Sequence, residues 1–389
     1  MLTYLAKRWR DVAAAEDALS AAFEQALVHW PAEGVPEAPD RWLLAVAHRK
    51  LTDQARHIAI RTRPDVLAAL TAAVESVELG AFSMPDDRLR LMMVCAHPAI
   101  DEGVRPALIL QLVLGLEVKV MAPLFVLPEA TLNKRLVRAK AKIREAGLRF
   151  EEPEPAELGD RVHAVLEALY AAYVCGADRE GAADLRQEAV FLVQLVEEAL
   201  PDNAEARGCS ALISLCEARR PALVGTGFSI VPLDEQDVSL WDEALLARGL
   251  QSLARAAACS QGAGPFQLEA AIQAAHCYRA RSGSTPWLEI AALYERLIEV
   301  GPTLGAYVGR AIAMAYATDS AALGLAQLDA LPPADRERYQ PYWLAEAHLL
   351  ERCGDRRPAR EALDRALALT FSARQKHFIE RWRTRLADA

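Results

Sequence analysis

From Pro128 to Arg144 the chain reads PEATLNKRLVRAKAKIR. Leu132, Leu136, Ala139 and Ile143 recur at the four-then-three spacing of one helical stripe, which asks for a core. Thr131, Lys134, Arg135, Arg138 and Lys142 fall on another face, and no acid interrupts the cations between Glu129 and Glu145. Pro128 suits a first turn, and Glu129 suits its positive dipole end. Upstream, Pro106–Leu114 is an apolar run that stops at Gly115, and Val118–Phe125 reads as a short helix. Short helix, tight turn, then a longer helix with polar and basic residues at its start is the layout of a helix-turn-helix. A solvated basic face is the plainer alternative for the last helix taken alone.

Elsewhere the same periodicity predicts more helix. Residues 2–30 read as one short helix and a longer one beginning at Asp11, with Ala15, Leu19, Ala22, Phe23 and Ala26 on its apolar side. Pro31, Gly34, Pro36 and Pro39 then predict a loop. Asp40–His57 follows from a good N-cap, with Trp42, Leu43, Val46, Ala47 and Leu51 apolar and Arg41, Arg49, Lys50 and Arg56 decorating it. Ile58–Pro85 is sparse in large apolar groups and reads as a linker, and Asp86–Cys95 as the next helix. The acidic, proline-bearing run EEPEPAELGD predicts a domain boundary, and the chain beyond it is helical almost throughout. Trp343, Ala347, Gly354-Asp355, Ala359 and Ala366 have the spacing of one tetratricopeptide-type helical pair, and Pro201 in EALPDNAEA predicts a junction between two pairs.

Composition agrees with an all-α protein: of 389 residues, 52% are hydrophobic. Residues 1–150 carry 20 Lys and Arg against 18 Asp and Glu, and the remainder 24 against 35. A net acidic chain still binds nucleic acid where its cations are concentrated. The seven cysteines are scattered without a CxxC pair, which predicts free thiols in a reducing compartment. Cys95 and His97 lie close but lack further ligands, so no metal site is expected. No apolar run is long enough for a bilayer, so the expectation is a cytoplasmic protein that does not meet a membrane. Enzyme chemistry is not expected, and neither is a cofactor. Gly225 and Gly227 lack the rest of a phosphate loop. Asp234, Glu235 and Asp237 in LDEQD read as a capped helix start or an interdomain contact, with Leu240 and Trp241 beside them as part of a docking surface.

AAEDALSAAFEQAL followed by APDRWLLAVAHRKLTDQAR resembles regions 2.2 to 2.4 of the extracytoplasmic-function (ECF) sigma factors, and TLNKRLVRAKAKI resembles their region 4.2. DDRLRLMMVCAHPAI, LDEQDVSLWD and GPFQLEAAIQAAH resemble the ECF subgroup with a long C-terminal helical extension similar to tetratricopeptide repeats. Ser20 and Ala21 depart from the family pattern in region 2.2, Val120–Pro123 departs from it in the helix-turn-helix, and Met1 falls inside the expected first helix. The resemblance implies two small sigma domains, residues 1–60 (region 2-like) and 86–150 (region 4-like), joined by a linker at 61–85. A helical extension, residues 151–389, would follow and act on activity or on a regulatory protein partner.

It also implies partners: core RNA polymerase and promoter DNA. Glu16, Asp17, Phe23 and Gln25 would face polymerase. Trp42, His48, Arg49, Lys50 and Arg56 would face the −10 element, with the loop Glu33–Pro39 receiving an unpaired base. Thr131, Asn133, Lys134, Arg135, Arg138 and Lys142 would meet the −35 element. The competing expectation is a helical-repeat adaptor for proteins that carries a degenerate DNA-binding module.

Overall fold

The computed structural model describes residues 1–61, 86–151, 153–154, 157–178, 183–223, 230–259, 262–370 and 372–388. Among them the fold is all-α. Of the linker expected at Ile58–Pro85, the first four residues continue a helix that ends at Arg61, and residues 62–85 lie outside the described residues, as do Gly225 and Gly227. Two compact units, Met1–Leu169 and Tyr170–Ala389, divide the chain within one helix.

Unit 1 begins with α1 (Leu2–Trp9), α2 (Val12–Glu33) and α3 (Pro39–Arg61). Asp11 caps α2 by accepting from the Ala14 amide at 2.8 Å. The helix does not stop at Pro31 but runs to Glu33. A proline so near the end forfeits one hydrogen bond, to the carbonyl of Leu27, whose side chain is exposed. Ala15, Ala22 and Ala26 are buried as their spacing predicts, whereas Phe23 stands 44% exposed, outside the core stripe. On α3, Leu43, Ala47 and Leu51 are buried.

Next come α4 (Asp87–Cys95), α5 (Arg105–Leu112), α6 (Val118–Met121) and α7 (Glu129–Glu145). Asp86 caps α4: its carboxylate accepts from the Arg88 amide at 2.7 Å, and the Arg88 guanidinium holds its pKa below the usual value. The short helix expected to reach Phe125 ends at Met121. Pro123 has no amide with which to continue the ladder, and the turn closes instead through Leu127 N–H to the Ala122 carbonyl at 3.1 Å, with Val126 at φ 52°. A further helix, α8 (Leu158–Asp178), spans the division between the units.

In unit 2, α9 (Ala183–Ala199) and α10 (Ala204–Ala218) meet at the turn that Pro201 and Asn203 enforce, Asn203 capping α10 through the Ala206 amide. Then follow α11 (Glu243–Ala257), α12 (Pro265–Cys277), α13 (Trp287–Val300), α14 (Leu304–Ala317), α15 (Ala321–Asp329), α16 (Gln340–Cys353), α17 (Arg356–Ala368) and α18 (Ala373–Asp388). Trp343, Ala347, Ala359 and Ala366 are buried between α16 and α17, and Gly354 turns the chain between them at φ 86°. In LDEQDVSLWD, Trp241 is only 5% exposed and packs with Leu215, Ala222 and Cys277. Trp241 is therefore core rather than docking surface, whereas Leu240 beside it is 52% exposed. Asp237 and Asp242 are caps, the latter accepting from Ala244 and Leu245 amides.

A polar contact in unit 2 joins α10 to α12. Glu205 accepts from the Phe266 and Gln267 amides at 2.9 and 3.0 Å, so its charge closes the positive end of α12. Burial, and then Glu205, push Glu269 up to about 7, while burial and then Arg219 push His276 down to about 4. The raised carboxylic acid favours the fold while protonated, so its contribution is lost as pH rises from about 4.5 through 7; the depressed histidine works in the opposite direction, its contribution lost as pH falls from about 6.5 towards 4. Glu269→Gln removes only the first. Its melting midpoint should exceed that of the wild type by a margin that grows across about pH 4.5 to 7 in thermal melts of the full chain; a constant margin would assign the titration to another group.

Candidate nucleic-acid interface

The buried stripe of α7, Leu132, Leu136, Ala139 and Ile143, is 1–4% exposed and fixes the rotation of the helix about its axis. At 3.6 residues per turn, the remaining side chains divide into two flanks. Thr131, Lys134, Arg135, Arg138 and Lys142 occupy the outer flank; Thr131 is half-buried and the four cations are exposed. Asn133, Val137, Lys140 and Arg144 occupy the inner flank, where Asn133 is exposed one turn above Val137. The expected site residues of α7 thus fall mainly on one flank, with Asn133 on the other.

The inner flank is engaged with α2. Lys140 Nζ lies 2.5 Å from Glu16 Oε1, and the Arg144 guanidinium donates to both oxygens of Asp17 at 2.8 and 3.0 Å. Cys95 of α4 lies beneath; burial, then the Glu16 carboxylate, push its thiol up to about 12, so it is inert. Lys134, Arg135, Arg138 and Lys142 form no ion pair among the described residues. Four exposed cations within three turns suit a polyanion, and Arg can read base edges as well as grip phosphate.

On α3 the expected residues divide differently. Arg49 and Lys50 are exposed. Trp42 is half-buried, packing edge-on to Trp30 at 5.6 Å between ring centroids and beside His29 at 6.4 Å. His48 packs against Trp9 at 5.4 Å and accepts from Arg8 Nε at 3.3 Å, which ties it to α1. The Arg56 side chain lies outside the described residues. On α2, Glu16 is half-buried, whereas Asp17, Phe23 and Gln25 are exposed. Phe23, Leu27 and Val28 are exposed by 44%, 77% and 71% and give α2 an apolar surface; the sequence reading placed Phe23 on the buried side and did not single out Leu27 or Val28. Among the described residues no group of His, Cys, Asp and Glu could hold a metal ion, and no helix is long and apolar enough to cross a membrane.

An all-helical protein with a short helix, turn and basic helix in its first unit is the class these features define. The chain belongs to the same family as the uncharacterized protein R00370 of Rhizobium meliloti (strain 1021), which is 32% identical over 387 residues, covering 96% of this chain and 90% of that protein. A family model described as Family of unknown function (DUF6596) matches residues 161–257. No solved structure matches.

The two flanks predict a specific pattern of loss. Arg135→Ala and Arg138→Ala should each weaken binding to a preferred duplex by about 1–3 kcal/mol and relax its sequence preference. Lys142→Ala should weaken binding evenly across sequences and reduce the salt slope by about 1. Lys140→Ala should not weaken it. Equal losses at all four positions, measured by fluorescence anisotropy across a salt series, would contradict the division into flanks.

Proposed function

We propose that the chain is a promoter-specificity factor of the ECF sigma type: it binds core RNA polymerase through α2, recognises promoter DNA through α3 and α7, and carries a tetratricopeptide-like helical extension that regulates activity or binds a protein partner. The observation that carries the proposal is the outer flank of α7. Its cations are exposed beside a short helix-turn segment, at the positions where TLNKRLVRAKAKI resembles the −35-reading helix. Two further features support it. Arg49 and Lys50 are exposed on the helix that resembles the −10-reading element, and an apolar surface accompanies the acids of α2, as a protein-docking face requires. In this proposal the protein is not an enzyme; polymerase performs the chemistry, and Arg, Lys, Asn and Thr side chains set its register on the duplex.

A helical adaptor is the second reading. What favours it is that Glu16 and Asp17 are already paired with α7, which leaves fewer free acids for polymerase.

Run-off transcription with core polymerase on the DNA upstream of the protein's own coding sequence tests the proposal. A transcript start that depends on adding the protein is the expected result. An unchanged transcript pattern with and without it, together with no copurification of polymerase, would leave the adaptor.

A further inference from the structure

Among the described residues, three ion pairs join α1–α3 to α4–α7 within unit 1. Lys140–Glu16 is the sheltered pair, with side chains 26% and 21% exposed, and Arg144–Asp17 beside it is about half exposed. Lys7 Nζ adds a third, 2.7 Å from Asp87 Oδ2, between α1 and α4. The chain leaving α7 is drawn to the same corner. Asp11 and Arg149 form an antiparallel bridge, and the Phe150 amide donates to the Arg10 carbonyl at 3.3 Å. Phe150 is 4% exposed, with the Arg90 guanidinium 5.6 Å from its ring centroid.

We propose that the inner flank of α7 is a releasable clasp on α2: Lys140 and Arg144 occupy Glu16 and Asp17 and so close those acids to an outside partner, while the outer flank of the same helix stays open. The proposal rests on the reading that Glu16 and Asp17 face polymerase. Arg144–Asp17 and Lys7–Asp87 are the exposed pairs, individually weak and screened by salt, so the closure loosens from them first and Lys140–Glu16, the sheltered pair, parts last. Phe150 supplies the apolar anchor that sets where the clasp closes. Phe23, Leu27 and Val28 lie exposed further along α2, so a partner can land there first and then compete for the acids. A partner that needs Glu16 and Asp17 binds only the open form, and its apparent affinity falls by the closed fraction.

Zero-length carbodiimide coupling on the full-length protein, read by peptide mass spectrometry, reports the clasp directly, because the reagent joins an amine only to a carboxylate it already touches. Lys140–Glu16 and Lys7–Asp87 products should form at low salt and fall several-fold at about 0.5 M salt, where the screening length shrinks to a few ångströms. In parallel, Lys140→Ala/Arg144→Ala, checked for helical content by circular dichroism, should bind core polymerase several-fold more tightly than wild type at low salt. Absence of the Lys140–Glu16 product at low salt would overturn the clasp. So would an unchanged polymerase affinity in the double variant when the wild type binds. A strong, salt-sensitive product with no polymerase binding by either form would instead uphold the clasp and sink the polymerase reading.

Discussion

The packing of four side chains sets the rest of unit 1. Leu132, Leu136, Ala139 and Ile143 must face the core, and on a helix with fixed turn angle that choice decides where every other residue of α7 points. Rotating the helix by one residue would carry about 100° of surface past the core and bury a cation without a partner, which costs far more than one surface ion pair returns. The apolar stripe therefore divides the charge. Lys140 and Arg144 are spent on α2, and Lys134, Arg135, Arg138 and Lys142 are left to solvent. The basic helix is consequently two surfaces, one holding the unit together and the other available for an anion.

Unit 2 depends on a different constraint, the close approach of α10 to the start of α12. A Cβ on Gly208 would stand 2.6 Å from the Gln267 amide nitrogen, and one on Gly264 would meet the Glu205 carboxylate. Small residues at these positions let one helix carry the carboxylate that satisfies two amides of the next. The cost is a second acid, Glu269, held where its ionised form is poorly solvated.

Much of this was legible in the sequence because it is local. Asp11 and Asp86 cap the helices whose starts the sequence places there, and the spacing of Trp343, Ala347, Ala359 and Ala366 predicts their burial, whereas Asp40, read as a cap, lies in the first turn of α3, which begins at Pro39. What depends on partners distant in sequence was not legible. Glu16 and Lys140 are 124 positions apart, and periodicity shows that each lies off the core face without showing that they meet. Trp241 beside a run of acids looks like surface until Leu215, Ala222 and Cys277 close over it. Phe23 misled in the other direction: it belongs to an apolar-rich helix yet falls off the buried stripe. Proline rules were sound only with their position attached, since Pro123 ends α6 early whereas Pro31 is accommodated in the last turn of α2.

In the proposed function, α7 turns its outer flank to DNA while the apolar surface of α2 meets polymerase. Site-specific photocrosslinking in the presence of core polymerase and promoter DNA tests it most directly, with the photoreactive side chain placed once at Arg138 and once at Leu27. Crosslinks from position 138 to DNA near the −35 element and from position 27 to a polymerase subunit are the predicted result. Crosslinks from position 138 to protein alone, or from neither position to either partner, would contradict it.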